Sequence, residues 1–583
     1  MSAQPILGRR PVTSAKPRSF LIDATVILCL LAVFFTIVQT GTYWMGKPIP
    51  EAPISHSIGA LPVYAFFSIV RIGVAYIFSL IFAVGYGYIA AYNPRVEAWM
   101  IAVLDILQSI PVLSFLPGVM LAMMALIPGH QLGIELGSIL LIFTGQVWNM
   151  AFSFYSSLKS IPREMVEATR VYRFSAWQRF WQLEMPFAAI GLIWNSIMSV
   201  AGGWFFLILC EMFPVGDRNF RLPGLGSYLQ TAASSDPVDM HGLLWGLAVL
   251  ILIIIATDQL IWRPLIVWSD KFKFEQVESS RRMTSPILTL LQRPSALTRL
   301  PGRIFGSMEE RMYSQLSHTK SCRVVQPMDS DGRRGGFLLP SLMGFFAAMG
   351  ILWGAAQAYH MLHGVTWADL HQLLMGAGAT YLRVNISLLI AALWTIPVGV
   401  AIGSNARLAR ILQPITQVVA SVPATAFYPI LLVLMIRIGM GLGVGAIFFM
   451  LLGTQWYILF NVIAGAMAIP SDLKEAAEVY RFNLWQRWTR LILPGIFPYL
   501  VTGMITASGG AWNASIAAEY FHIGDKTVQT LGLGAQIQAA TDSGRFSALL
   551  LATILMATIV VTTNRLVWRR LYRLSETRYK LEG

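Results

Sequence analysis

The sequence predicts an all-α polytopic membrane protein of about 12 transmembrane helices, arranged as two parallel six-helix repeats. Composition, the length of the apolar runs and an internal repeat of about half the chain carry that prediction. Of 583 residues, 56% are hydrophobic and only 12% are charged, with a mean hydropathy of +0.61. A soluble domain carries roughly twice that share of charge. Blocks such as Ile27–Val38 and Leu549–Val561 sit inside weakly polar stretches of about 20 residues, the length a helix needs to cross a bilayer. A membrane β-barrel would alternate apolar and polar residues in segments of about ten, a period these continuous runs lack. Disordered and fibrous classes are excluded by the same composition.

Lys and Arg number 43 against 29 Asp and Glu, a net charge of +14. Its placement matters more than its size. Arg9, Arg10, Lys16 and Arg18 precede the first apolar run, residues 270–336 hold 12 basic against 7 acidic side chains, and Arg565, Arg569, Arg570, Arg573, Arg578 and Lys580 lie near the end of the sequence. Basic residues collect on the cytoplasmic side of membrane proteins, so both termini and the 270–336 segment are expected there. The candidate outer loops at 46–61, 214–243 and 362–378 are poor in base. No zinc-finger spacing or basic aromatic motif turns the charge toward nucleic acid. Cys29, Cys210 and Cys322 form no CxxC pair, so neither a disulfide framework nor a metal site is expected. The run from Phe20 to Met45 is too long for a secretion signal and is expected as a retained first span.

The repeat fixes the layout. Arg71, Gly87, Asn93, Pro111, Phe115 and Pro117 recur 312 residues later as Arg383, Gly399, Asn405, Pro423, Phe427 and Pro429. From Trp148 onward the displacement is 308, pairing Trp148 with Trp456, Pro162 with Pro470, Glu167 with Glu475, Trp204 with Trp512, Glu211 with Glu519 and Gly224 with Gly532. The four-residue difference is expected in the turn around Ile127–Gly133. Apolar spans are expected near 20–45, 62–91, 99–125, 134–157, 187–213 and 243–266, then 337–361, 378–403, 411–437, 443–467, 495–520 and 547–566. An even number of crossings per half gives both halves one orientation. The expected domains are 1–61 (cytoplasmic N-terminus and first span), 62–268 (first core), 269–336 (cytoplasmic linker), 337–369 (accessory span of the second half) and 370–583 (second core and cytoplasmic tail).

Between the fourth and fifth spans of each half lies a segment of one design, Ile161–Pro186 and Ile469–Pro494. Ile-Pro followed within two residues by an acid opens a helix, with the acid near the positive end of its dipole. A turn at Arg173-Phe174-Ser175 or Arg481-Phe482-Asn483 then lets Ser or Asn cap a second helix at Trp-Gln-Arg. Each segment is expected as a helical hairpin showing charge to the cytoplasm, with Trp177, Phe180 and Trp181 toward the bilayer interface.

Glu475-Ala476-Ala477 with Leu493-Pro494, and Glu167-Ala168-Thr169 with Met185-Pro186, resemble the EAA loop of ABC-importer permeases, E-A-A-x(3)-G-x(9)-I-x-L-P. The Glu-to-Pro spacing matches in both copies. The pattern's glycine is replaced by Arg173 and Arg481, its Ile by Leu183 and Leu491, and the first copy carries Thr169 and Met185 for Ala and Leu. SIVRIGVAY and TYLRVNISL, QSIPVLSFLP and ASVPATAFYP, and AWNASIAAEYF with LGLGAQIQAAT narrow the resemblance to the nitrate/sulfonate/taurine-type permeases, in a fused tandem form.

That resemblance implies a type I ABC-importer permease core in each half, in the cell inner membrane, with no catalytic residue and no cofactor of its own. No G-x(4)-G-K-[ST] phosphate loop occurs in the sequence, so ATP and Mg are expected on a separate ATPase subunit dimer. Glu167, Ala168, Arg173, Glu475, Ala476, Ala477 and Arg481 are implied to couple to it. A periplasmic binding protein is the other implied partner, and a small anion such as nitrate, a sulfonate or bicarbonate the implied solute.

Ionisable residues inside spans are candidates for function. Arg71 and Arg383, with Glu211 and Glu519, lie near the outer ends of their spans, beside Trp204 and Trp512. Two readings stand: an anion-attracting pathway gated by aromatic rings, or structural Arg–Glu bridges with the Trp as interfacial anchors. Asn513 against Phe205 breaks the symmetry there. The Pro111/Pro117 and Pro423/Pro429 pairs interrupt helices and are expected beside the pathway. A 12-span secondary transporter is the alternative; it predicts repeated acid relays, yet the mid-chain acids Asp105 and Asp258 are not repeated.

Overall fold

The computed structural model describes residues 53–272 and 362–578, apart from residues 110, 216–217, 236–237 and 524–525, plus isolated positions between 349 and 360. The expected first span and the linker lie outside the described residues, as does the span at 337–361 but for those isolated positions. The first half comprises α1 (Leu61–Tyr92), α2 (Pro94–Ser109), α3 (Leu116–Leu126), α4 (Gln131–Lys159), α5 (Arg163–Val171), α6 (Ala176–Cys210), α7 (Leu225–Ser234) and α8 (Met240–Ser269), with strands β1 (Met212–Val215) and β2 (Arg218–Arg221) between α6 and α7. The second half repeats the order: α9 (Trp367–Ser404), α10 (Ala406–Ser421), α11 (Ala424–Arg437), α12 (Leu442–Ala468), α13 (Ser471–Val479), α14 (Leu484–Ala518), β3 (Tyr520–Ile523), β4 (Lys526–Gln529), α15 (Leu533–Asp542) and α16 (Phe546–Ser575). Among the described residues, eight helices (α1, α4, α6, α8, α9, α12, α14 and α16) are long and apolar enough to cross a bilayer.

The third apolar run of each half, expected as one span, is broken. In the second half the helix stops at Ser421, and the segments Arg407–Ser421 and Ala424–Arg437 meet at 79°. In the first half α2 ends at Ser109, and Pro111 leads through a short 3-10 turn into α3. Proline removes a backbone donor, and its ring disfavours a helical residue before it. Val422 and Pro423 are accordingly extended. If the bent pair α10/α11 is one span, the described helices make nine crossings. Antiparallel two-stranded ribbons follow α6 and α14, where the end of a span and the loop after it were expected.

Within each half α4 packs between α1 and α6, and α12 between α9 and α14. The repeated glycine is needed at that contact. A Cβ on Gly87 would lie 2.9 Å from a ring carbon of Phe154 and 3.1 Å from the Tyr155 nitrogen, and one on Gly399 2.8 Å from Val462 and 3.3 Å from the Leu459 carbonyl oxygen. Backbone cannot yield as a side-chain tip can, so hydrogen is what lets these helices approach. Each broken helix also reaches across to the other half: α11 packs on α6, α7 and α8, and the turn after Pro111 packs on α14.

The four-residue indel is taken up mainly by helix instead of by the turn. The α3–α4 and α11–α12 connections are of equal length, 127–130 and 438–441, but α4 starts four residues before Glu135 whereas α12 starts one residue before its counterpart, Gly443. The first half thus carries most of an extra helical turn at the start of α4.

Gly87→Leu and Gly399→Leu are each expected to cost about 1–3 kcal/mol through overpacking and to lower the yield of monodisperse protein in size-exclusion chromatography. Gly85→Leu, where a Cβ meets nothing within 4 Å, is expected to behave as wild type.

Candidate functional site

The two hairpins follow from their sequences nearly as expected. Pro162 and Pro470 immediately precede α5 and α13, with Glu164 and Asp472 in the first turns. Each helix ends in a Schellman closure: the amides of Arg173 and Phe174 donate to the carbonyls of Arg170 and Thr169, and those of Arg481 and Phe482 to Glu478 and Ala477. That closure demands a left-handed residue, and Arg173 (φ 52°) and Arg481 (φ 50°) supply it. They occupy the position the EAA pattern gives to glycine, at a cost of about 1–2 kcal/mol each. Ser175 and Asn483 then cap α6 and α14 through reciprocal capping boxes with Gln178 and Gln486.

The helices are rotated alike. Glu167 and Glu475 are exposed, while the third position of the motif, Thr169 or Ala477, is buried. Ala168 is exposed, Ala476 is half-buried, and both arginines are exposed. Next to them Tyr172 and Tyr480 are 75% and 76% exposed, so each hairpin presents a Val-Tyr-Arg tip. Trp177 and Trp181 also remain largely exposed, as interfacial anchors do.

The hairpins differ in how they are tied down. In the first, Glu184 is buried, accepts a hydrogen bond from Tyr92 Oη at 2.7 Å, and pairs with Arg179 Nε at 2.6 Å, while the Arg179 guanidinium lies over the Tyr92 ring. Nearby, Lys159 Nζ lies 2.8 Å from Glu97, and Tyr155 donates to the same carboxylate at 2.6 Å. These contacts hold the Glu97 carboxyl below its usual range. In the second half Ser404, Ile492, Ala409 and Met467 stand at the positions of Tyr92, Glu184, Glu97 and Lys159. Arg487 instead meets Glu478 on the exposed hairpin itself.

At the opposite membrane end sit the Arg–Glu pairs. Arg71 is 1% exposed and Glu211 is fully buried. Arg71 Nη1 donates to Glu211 at 2.7 Å and to the Pro223 carbonyl at 2.8 Å, and its Nε and Nη2 form a bidentate pair with Glu135 at 2.6 and 2.7 Å. Glu211 also accepts from Ser68 and from the Gly226 amide. The pair thereby joins α1, α4, the end of α6 and the start of α7. In the second half Arg383 donates to Glu519 at 2.8 Å and to the Leu531 carbonyl, and Glu519 accepts from Thr380 and the Gly534 amide. No carboxylate stands at Gly443, whose carbonyl accepts from Arg383 Nε at 3.2 Å. Arg383 remains 13% exposed. Beta carbons at Gly224 or Gly532 would overlap the Glu211 or Glu519 carboxylate, which accounts for that repeated glycine.

Glu135 and Glu184 are the residues that sequence reasoning missed. Each is an acid against apolar sequence, but the repeat comparison favours matched positions, and their counterparts are Gly443 and Ile492. Trp204 and Trp512 are buried, with Tyr381 packed against Trp512 at a centroid distance of 6.3 Å. Asn513 does reach the other half: its Oδ1 accepts from the Val112 amide, freed by the Pro111 break, at 2.8 Å. Its counterpart Phe205 meets the opposite break through its carbonyl, which accepts from Thr425 Oγ1 at 3.5 Å. Among the described residues there is no cluster of metal-ligating side chains.

Fold and sites together define a duplicated helical membrane protein carrying matched hairpins at one end of its bundle. The family profile described as "binding-protein-dependent transport system inner membrane component" matches residues 83–260 and 395–580, more than half of the chain and once in each half. The chain belongs to that family. The nitrate import permease protein NrtB of Leptolyngbya laminosa is 32% identical over 189 residues, 32% of this chain and 64% of that protein. The bicarbonate transport system permease protein CmpB of Synechococcus elongatus is 31% identical over 189 residues, 32% and 65% of the two chains. The taurine transport system permease protein TauC of Escherichia coli is 29% identical over 198 residues, 33% and 67%. The chain thus spans just under two thirds of the length of the first two of these relatives.

Removing Arg71 strands two buried carboxylates, whereas removing Arg383 strands one. Arg71→Met is therefore expected to destabilise by about 3–5 kcal/mol and Arg383→Met by less, read as thermal melting midpoints in detergent. Arg173→Gly and Arg481→Gly relieve the left-handed strain and are each expected to stabilise their hairpin by about 1 kcal/mol. Hydrogen exchange of amides 161–186 and 469–494 should slow accordingly, and Arg→Ala at the same sites should not slow it.

Proposed function

We propose that this chain is the membrane-spanning permease of an ATP-driven importer for a small anion, with ATP and Mg bound on separate ATPase subunits. The observation that carries the proposal is the pair of hairpins at 161–186 and 469–494, closed by the same turn and capping box at the same end of the bundle. Glu167 and Glu475, with Arg173 and Arg481, offer charge of both signs beside an apolar tip, which suits docking into a protein groove better than it suits a solvated surface. Ala168 and Ala476 keep the outer face of each helix slim enough to seat there, while Ala477 packs its inner face on the bundle. The family's description supports a binding protein as the partner at the other membrane end. The relatives' nitrate, bicarbonate and taurine support a small oxyanion or sulfonate as the solute.

In this reading the pathway runs between the halves, beside the proline breaks, where Asn513 meets the freed Val112 amide. Arg71–Glu211 and Arg383–Glu519 then serve to hold helices at its rim, and Trp204 and Trp512 fill the core behind it. The cytoplasmic side is that of the hairpins and the basic tail, with the membrane an inner cell membrane.

The full chain is expected to co-purify with an ATP-binding subunit, and the double variant Glu167→Ala/Glu475→Ala to lose ATP-driven anion uptake in proteoliposomes while inserting normally. Wild-type uptake by that variant, or the absence of any ATP-binding subunit, overturns the assignment.

A further inference from the structure

At the membrane end opposite the hairpins, the two halves fill the same place differently. In the first half Tyr228 of α7 is fully buried, with the rings of Tyr64 and His56 each 6.2 Å away and its hydroxyl donating to the His56 carbonyl at 3.2 Å. The displacements of 312 and 308 put Gly376 at the position of Tyr64 and Gln536 at that of Tyr228. Two aromatic rings are thus replaced by a hydrogen atom and an amide. A cleft of about 450 Å³ remains, walled by α9, the strand-to-helix turn before α15, α15 itself and the start of α16.

The cleft carries one full charge of each sign on an otherwise neutral lining. Arg545 Nη1 and Asp369 Oδ1 face each other across 3.5 Å, long for a charged pair and worth little at that exposure. Asp369 commits Oδ2 to the amide and hydroxyl of Thr366, which leaves Oδ1 toward Arg545. Gln536 donates its Nε2 to the Gln372 carbonyl at 2.7 Å, and its buried Oε1 has no hydrogen-bond partner. Ala535 and Ala539 supply an apolar strip between these polar groups.

We propose that this cleft binds a small zwitterion of amino-acid size. Its anionic group lies on Arg545, its ammonium donates toward Asp369 Oδ1, and its short aliphatic body lies along the alanines. A simple anion would meet Asp369 and a simple cation Arg545, so the lining selects a molecule bearing both charges. The back wall ties occupancy to the Arg383 clamp, because Thr530 Oγ1 and the Leu531 carbonyl both accept from Arg383.

The test titrates the full chain in lipid nanodiscs, without ATPase or binding protein, by calorimetry. Taurine is the zwitterionic probe, with sodium sulfate and methylammonium chloride as single-charge controls. Taurine is expected to bind and the controls not to. Arg545→Gln and Asp369→Asn are each expected to weaken binding about tenfold, a loss near 1.4 kcal/mol. Gln536→Tyr, which restores the ring that fills this place in the first half, is expected to abolish binding at an unchanged melting midpoint. The proposal is overturned if taurine fails to bind the wild type, if either control binds as well as taurine, or if Gln536→Tyr and the two charge variants all bind as the wild type does. Because no ATPase is present, failure here leaves the transport reading standing, and failure of uptake leaves this site standing.

Discussion

A guanidinium buried at one end of a membrane bundle is stable only when its donors are matched, and the architecture of each half is arranged around that requirement. Arg71 reaches carboxylates on α4 and at the end of α6 and a carbonyl before α7, so three segments distant in sequence are fixed to α1 by one side chain. The Glu211 carboxylate extends the same network into the backbone of α7 through the Gly226 amide, and the close approach needs hydrogen at Gly224. The second half rebuilds this arrangement with Arg383, Glu519, Thr380 and Gly534. Burial raises the stakes of every member, because an unpaired charge there is far costlier than an unpaired charge in water.

Duplication kept that arrangement and let its surroundings diverge. The first half is pinned three times over: by Glu135 on Arg71, by Glu184 between Tyr92 and Arg179, and by Glu97 between Lys159 and Tyr155. At each of these places the second half has a residue that cannot ionise, and its guanidinium keeps some exposure. The hairpins are therefore equal in turn geometry and unequal in anchorage. The two units thus share a fold but differ in how many buried polar contacts tie their helices together.

Local physics made the hairpins legible. Proline before the helix, an acid in its first turn, and Ser or Asn three residues before Gln are signals that act within one turn of helix, and they produce the capping boxes at Ser175 and Asn483. The substitution of arginine for the expected glycine at 173 and 481 was visible in the sequence; that the backbone nonetheless turns left-handed there was not, because the Schellman closure overrides the residue's own preference. The broken third span was half legible: Pro111 and Pro423 announced an interruption, but the 79° bend in the second half depends on which neighbours receive the two pieces.

By itself the sequence determined the class, the repeat, eight of the spans described and the position of both hairpins, since apolar run length, proline placement and capping are properties of contiguous residues. Tertiary structure alone decided which charges meet. Glu135 lies 64 residues from Arg71 and Asn513 lies 401 residues from Val112, and no periodicity encodes such separations. It also decided where the halves differ in shape, because a filled site at Tyr64 and Tyr228 and a cleft lined by Gln536 are distinguished by the space three helices enclose, which no single helix specifies.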